Sequence, residues 1–133
     1  MNITLIQSSG PTWSDLNSNV GENGKPAILL DYDSLNNAIS NILSCPVGSR
    51  GWHPTFGSDL PLLIWEPVDL ITANAIKVAV IDAIRQWEKR ITLVAGMSAI
   101  TPNPDGISYN VSLVYKINLT GVIAPPFNFR LSR

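Results

Sequence analysis

The sequence predicts an α+β fold: two or three helices packed on a small, mainly antiparallel sheet with a long C-terminal hairpin. Three observations predict it. Ile76, Ala79, Val80, Ala83, Ile84 and Trp87 recur at helical spacing and mark one amphipathic helix. Residues 107–120 alternate apolar and polar with a period of two, as a half-buried strand does. Residues 48–60, ahead of the main helix, read Gly-Ser-Arg-Gly-Trp-His-Pro-Thr-Phe-Gly-Ser-Asp-Leu. Glycine and proline break helix and strand alike, while two large aromatics are more than a plain connector needs, so this segment reads as a loop folded against its own scaffold.

The elements follow in order. Residues 1–26 are polar, with glycine, serine and asparagine throughout, and residues 1–32 read as an extended N-terminal arm with one short strand at residues 3–6. Asp33 can cap a first helix from Ser34 to about Ser44, its carboxylate accepting from backbone N–H groups left over in the first turn. Leu35, Ala38, Ile39 and Ile42 give that helix its apolar face, and Pro46 and Gly48 end it. After the loop comes a short apolar turn at residues 61–65, stopped before Pro67. Thr72 then reads as the cap of the main helix, which runs to about Trp87 and, at ~1.5 Å per residue, spans about 23 Å.

Residues 91–100 are β-branched and mostly apolar, and residues 101–106, Thr-Pro-Asn-Pro-Asp-Gly, are a turn. Ile107, Tyr109, Val111, Leu113, Tyr115, Ile117 and Leu119 then face one way; Ser108, Asn110, Ser112, Lys116, Asn118 and Thr120 face the other, with Val114 the apolar exception. Residues 33–120 are thus expected to form the domain. Residues 121–133 add a Pro125-Pro126 break and then Phe127, Phe129 and Leu131 in alternation, the pattern of an extended C-terminal arm laid across something else. At ~3.3 Å per residue the second hairpin strand would run more than roughly 40 Å, far beyond a usual strand. Either the hairpin bends at a bulge or a neighbouring chain pairs with its exposed edges.

Composition narrows the function. The 133 residues carry a formal charge of −1, and the nine Lys and Arg are scattered, which argues against nucleic acid because a polyanion needs a basic stripe. Only 14% of residues are charged against a typical ~25%, so the surface is expected to be rich in Asn, Ser and Thr, to be covered in part by a partner, or both. The apolar run near Ile76 is interrupted by Lys77 and Asp82, so no membrane span is expected. Residues 1–7 have neither a basic start nor a long apolar run, so no secretory signal is read. Cys45 is the one cysteine, which excludes an intrachain disulfide and suits a reducing compartment.

No constellation selects a reaction. His53 is the one histidine, and with a single Cys and a single His no structural zinc site, metal or cofactor is expected. Asp59, Glu66, Asp69 and Glu88 are the candidate acids for glycoside hydrolysis, but nothing in their spacing selects a pair. No catalytic residue is assigned. Glu88 and Arg90 carry a different expectation. Residues two apart on an extended backbone point to the same side, so they can present an acid and a base together where the main helix ends. The alternative is an ordinary solvated helix end, where Lys89 or Arg90 suits the dipole.

Three segments together, Gly48-Ser-Arg50, Pro54-x-Phe56-Gly57-x-Asp59-Leu60, and a helix ending Trp87-Glu88-Lys89-Arg90-Ile91 before two strands, resemble the baseplate wedge and sheath-initiator family of contractile phage tails and its type VI secretion counterpart. The resemblance covers roughly residues 33–119. In that family the junction reads Glu-Pro-Arg; here Lys89 stands in the proline position. The resemblance implies a structural virion component of the tail baseplate, assembled in the host cytoplasm, and no enzyme. It implies other baseplate wedge proteins and the tail sheath protein as partners in a sixfold assembly, with the first sheath ring templated by shared strands. Partner contacts are then expected at Glu88, Arg90, Tyr109, Tyr115, Phe127 and Phe129. Arg50, Trp52, Pro54, Phe56, Gly57 and Asp59 are expected to build the structural loop, with Trp52 and Phe56 as anchors and Arg50 and Asp59 as polar ties. The family has also carried a lysozyme-like label, and a related fold serves as a bacterial adaptor for a regulator; both stand as alternatives.

Overall fold

The computed structural model describes residues 13–20 and 26–132. The chain divides into two compact units, residues 1–37 and 38–133, with the first helix running from one into the other.

In the first unit, β1 (Ser14–Val20) and β2 (Pro26–Leu30) form an antiparallel ladder from Ser14 opposite Leu30 to Val20 opposite Pro26, with a register shift after Leu16. This stretch reads from the sequence as an extended arm, yet it is paired within itself; the short strand expected at residues 3–6 lies outside the described residues. The start of helix α1 (Asp31–Ser44) is tied to this ladder. Asp31 donates its N–H to the Trp13 carbonyl at 3.0 Å and accepts the Trp13 N–H on its carboxylate at 3.4 Å. The Asn37 amide donates to the Asp15 carboxylate at 2.8 Å. Helix α1 therefore begins at Asp31 rather than at Ser34, and Asp33 sits inside its first turn instead of capping it. Two acids in that turn suit the positive end of the helix dipole.

The second unit holds the rest of the domain. Helix α2 (Leu60–Leu63) is a single turn with proline at its start, where a missing N–H costs nothing. Helix α3 (Leu70–Trp87) is capped by Asp69, whose carboxylate accepts the Thr72 N–H at 2.7 Å. Thr72 is thus the residue served by the cap and not the cap itself. The bond, with the Thr72 hydroxyl, holds the Asp69 carboxyl below its ordinary value. The buried side of α3 is Thr72, Ala73, Ile76, Val80, Ala83 and Ile84, close to the stripe that the spacing predicts, with Ala79 and Trp87 half-buried at its margin.

Five strands follow: β3 (Ile91–Leu93), β4 (Ala99–Pro102), β5 (Ser108–Leu113), β6 (Tyr115–Ile117) and β7 (Phe127–Ser132). They form two antiparallel sheets, β3–β6 and β4–β5–β7, and α3 packs on β3, β4 and α2. The fold is the α+β class that the sequence predicts. The core joins Ile39, Ile42 and Leu43 of α1 and Leu60 to the buried side of α3 and to Tyr109, Val111, Leu113, Val114, Tyr115 and Ile117.

The long hairpin bends, and the cause is local. Leu93 lies opposite Tyr115 and Ala99 opposite Ser112, so five residues, 94–98, face only two, Leu113 and Val114. The surplus leaves the ladder, and a side chain fills in for the backbone. The buried Ser98 hydroxyl accepts the Val114 N–H at 3.0 Å and lies 3.0 Å from the Val94 carbonyl, while Val94 donates its N–H to the Val114 carbonyl at 2.9 Å. One strand of the sequence reading is therefore two strands in two sheets, divided at Val114.

The C-terminal arm is also not loose. β7 lies antiparallel along β5, Phe127 opposite Leu113 and Ser132 opposite Ser108, and so folds onto its own chain. A polar cluster at the hairpin turn holds it. Asp105 accepts the N–H groups of Ile107 and Ser108 at 3.0 and 3.1 Å and the Ser108 hydroxyl at 2.6 Å. Arg130 of β7 donates to the Ser108 hydroxyl at 3.0 Å and pairs with Asp105. The Ser108 hydroxyl, the Ile107 N–H and then the Arg130 charge keep the Asp105 carboxyl below the ordinary carboxylate range.

Ser98→Ala removes the acceptor of a buried N–H, and a loss of about 1–3 kcal/mol is expected in urea denaturation. Asp105 gives a pH prediction. Its folded pKa is depressed, so its stabilisation is complete above the unfolded value of about 4 and fades as pH falls through the folded value. Hydrogen exchange of β7 amides should accelerate, beyond the intrinsic pH effect, below about pH 4 in the native protein. Asp105→Asn should show no such pH-linked step.

Candidate functional site

The junction between α3 and β3 is built from the helix end outward. Glu88 ends the helix with its N–H still donating to the Ile84 carbonyl at 2.8 Å, then turns to extended backbone at φ −113° and ψ 95°. That turn places Glu88 and Arg90 on one side, as alternation predicts. Arg90 grips the Glu88 carboxylate with both arms of its guanidinium, Nε to Oε1 at 2.7 Å and the terminal nitrogen to Oε2 at 2.6 Å. The Arg90 N–H adds a third contact at 3.2 Å. The Glu88 side chain is 6% exposed and that of Arg90 34%, so the acid is enclosed and the base reaches solvent. A forked, charge-assisted pair of this kind fixes direction as well as contributing energy.

Lys89 occupies the position of the family proline, and the extended geometry that a proline would impose on Glu88 is present without it. The lysine does separate work: its ammonium donates to the Arg85 carbonyl at 2.7 Å, satisfying one of the last carbonyls of α3. Asn118 closes the far side. Its amide donates to the Lys89 carbonyl at 2.9 Å, its N–H donates to the Arg90 carbonyl at 2.9 Å, and its side-chain oxygen accepts from the Thr92 hydroxyl at 2.8 Å. A cleft of about 280 Å³ opens beside this junction, lined among others by Ile84, Arg85, Glu88, Lys89 and Asn118.

The glycine-rich loop reaches the same end of α3. Its neck is closed where Ser58 returns to the end of α1: the Ser58 N–H donates to the Cys45 carbonyl at 3.0 Å, and its buried hydroxyl donates to the Leu43 carbonyl at 2.9 Å. Gly57 makes this approach possible. Its φ is +119°, and a Cβ there would stand 2.1 Å from the Cys45 oxygen. Across the loop the Gly48 N–H donates to the Pro54 carbonyl at 2.7 Å. Phe56 is the anchor, its ring in a T-shaped contact with Trp87 at 5.1 Å and the Arg50 guanidinium over the Phe56 ring at 4.4 Å.

Several expected roles change. Trp52 is 96% exposed and anchors nothing within this chain, because the loop bends it outward. Arg50 stacks on Phe56, while Asp59 holds the end of the loop through its backbone carbonyl, which accepts from Leu62 and Leu63 at the start of α2. Tyr109 and Tyr115 are core residues, each 1% exposed, and the Tyr109 hydroxyl donates to the Pro67 carbonyl at 3.2 Å; their rings offer no partner surface. Phe127 and Phe129 lie half-buried on β7 with ring centroids 5.2 Å apart. The sequence reading also missed an apolar surface around α2 and the start of α3, where Leu62, Trp65, Leu70 and Ile71 are all largely exposed, Ile71 at 81%. The signal was available in the chain, since α3 carries apolar residues on more than one face.

His53 is exposed, and among the described residues no group of three or more His, Cys, Asp or Glu is placed to hold a metal ion. No helix of the described residues is long and apolar enough to cross a membrane.

The profile described as baseplate wedge protein gp25 matches residues 31–117, and the chain belongs to that family. Baseplate protein W of Escherichia phage P2 is 38% identical over 63 residues, which are 47% of this chain and 55% of that protein. Baseplate wedge protein gp25 of Enterobacteria phage T4 is 32% identical over 66 residues, 50% of each chain. The chain spans about half the length of these curated relatives. Among solved structures, a protein described as a tail lysozyme from Geobacter sulfurreducens superposes with a TM-score of 0.67 at 20% identity, covering 80% of this chain and 96% of that one. A chain of the postcontracted pyocin R2 baseplate gives 0.60 at 24% identity, covering 80% and 99%. At these identities the likeness speaks for the fold alone.

Arg90→Ala leaves the enclosed Glu88 carboxylate without its partner and is expected to cost about 2 kcal/mol, allowing for the partial exposure of the pair. Adding Glu88→Gln should recover part of that loss. A double-mutant cycle in urea measures both steps, and equal stability of the single and double variants would contradict the assignment.

Proposed function

We propose that the protein is a structural, non-enzymatic subunit of a contractile tail baseplate, joining other wedge proteins and presenting its sheet to the first ring of the sheath. The observation that carries this reading is the Glu88–Arg90 clamp, which lies inside the family match and holds a guanidinium at the surface in one fixed direction. In this reading the virion tail baseplate is the location, the host cytoplasm the place of assembly, and sixfold repetition the arrangement. Residues 33–120 act as the wedge domain; residues 1–32 and 121–133 flank it. Sheath subunits are templated by strand addition to the β4–β5–β7 sheet, where backbone groups supply affinity and side chains select the partner. The contacts assigned to Glu88 and Arg90 lie at the junction, and those of Phe127 and Phe129 on the edge strand β7.

A hydrolase is the second reading, favoured by the name of the Geobacter sulfurreducens structure. Against it stands the state of Glu88, whose carboxylate is enclosed and taken up by Arg90.

Glu88→Ala with Arg90→Ala, placed in the tail system that encodes the protein, should leave baseplates visible by electron microscopy while sheathed tails disappear. Normal sheathed tails would overturn the role given to the junction. The purified wild-type protein should not clear a peptidoglycan suspension; clearing abolished by Glu66→Gln or Glu88→Gln would establish the hydrolase instead.

A further inference from the structure

β7 is held differently from the other strands of its sheet. Its inward residues, Phe127, Phe129 and Leu131, are only half-buried, whereas Tyr109, Val111 and Leu113 on the adjoining β5 are fully buried. Beneath it lies an apolar groove of about 390 Å³ lined by Leu43, Leu60, Pro61, Ile64, Phe129 and Leu131. The groove is open to solvent on one side, so the inward side chains of β7 keep part of their apolar surface against water instead of packed against neighbours. Besides its backbone ladder to β5, its side-chain polar tie to the hairpin turn is Arg130, bonded to Asp105 and Ser108, and the side chains of that ion pair are 58% and 30% exposed, where such pairs hold weakly.

The attachment of β7 to the rest of the chain is equally specific. Ala124 is buried and donates its N–H to the Tyr115 carbonyl at 2.9 Å, so the chain is fixed up to that residue. Pro125 and Pro126 follow and can donate no backbone hydrogen bond. The segment able to leave is therefore residues 125–132, with the hinge after Ala124.

The geometry points to β7 as an exchangeable strand that covers the β5 edge in the free subunit and yields it to a strand from a neighbouring protein of the assembly. The incoming strand carries large apolar residues at alternate positions, long enough to fill the groove under Leu60 and Ile64 that Phe129 and Leu131 leave partly empty. A free β5 edge would otherwise pair with whatever strand it met first, and β7 prevents that until the correct neighbour arrives. This inference rests on the proposed sheath-templating role and adds to it: the site of strand addition is the inner strand β5, uncovered on assembly, and not the outer side of β7.

The test locks the strand. Ser112 and Asn128 are register partners on β5 and β7, a separation that a disulfide can bridge, and Cys45→Ser removes the native thiol. With Ser112→Cys and Asn128→Cys in that background, the oxidised subunit should enter baseplates but found no sheath, and reduction should restore sheathed tails. Sheathed tails in equal number before and after reduction would overturn the exchange while leaving the baseplate role intact. Loss of baseplates in both states would count against the broader reading, and hydrogen exchange on the wild-type subunit then decides the exchange by itself. Amides of residues 127–132 should exchange at least about tenfold faster than those of the β3–β6 pair. Exchange of β7 only with global unfolding would overturn the proposal.

Discussion

The Ser98 hydroxyl at Val114 is the contact on which the arrangement of this protein turns. A hairpin whose strands ran unbroken from Ile91 and to Thr120 would make one long, two-stranded ribbon with both edges open. Five residues opposite two force the ribbon to bend, and one buried hydroxyl makes that bend tolerable by satisfying the backbone that the bulge strips bare. The result is two short sheets in place of one long one. The first, β3–β6, is reached directly from the end of α3, so its position sets where the Glu88–Arg90 clamp faces. The second, β4–β5–β7, takes the C-terminal segment as its outer strand.

Two features converge on the far end of α3 from different parts of the sequence. The glycine-rich loop arrives through the Phe56 ring packed on Trp87, and the Arg90 clamp arrives through the turn one residue later. The loop is closed by backbone bonds at its neck and by an aromatic contact at its tip, and neither depends on its histidine. Gly57 serves that closure and Phe56 the contact with Trp87. The loop steadies the last turn of α3, from which the junction takes its direction. Lys89 fits the same pattern: the extended backbone at Glu88 is secured by Asn118 and by the clamp, so the chain does without the rigidity of a proline there.

The class of fold, the main helix and its buried stripe were legible because periodicity reports burial directly, and the stripe needed only its margins adjusted. The pairing of Glu88 with Arg90 was legible as geometry, since alternation along extended backbone leaves few choices. Helix starts were less so: Asp33 and Asp69, like Thr72, are all acceptable caps, and local sequence does not say which one the tertiary fold uses. The break at Val114 was hidden for a related reason. Alternation resumes past Val114, so that one apolar exception marks the place of the break but not the change of backbone partner. Trp52 misled because size was taken for burial; a large aromatic in a loop fills the interior only if the loop turns it inward. Tyr109 and Tyr115 lie on the apolar face that the alternation marks, and the partner contacts that the resemblance implied for them give way to burial, where the Tyr109 hydroxyl finds a carbonyl within the fold.

The apolar surface formed by Leu62, Trp65, Leu70 and Ile71 has a consequence for the life of the subunit before assembly. With a formal charge of −1 and a pI near 5.6, the molecule has little electrostatic repulsion to hold copies apart. Large exposed aliphatics and an indole on such a weakly charged body favour self-association as concentration rises. The free subunit is thus under kinetic pressure. Its solubility should be lowest near its pI of about 5.6, where its net charge vanishes. Supply in step with demand is then a physical requirement of this surface, set by colloid chemistry as much as by the order of a genetic programme.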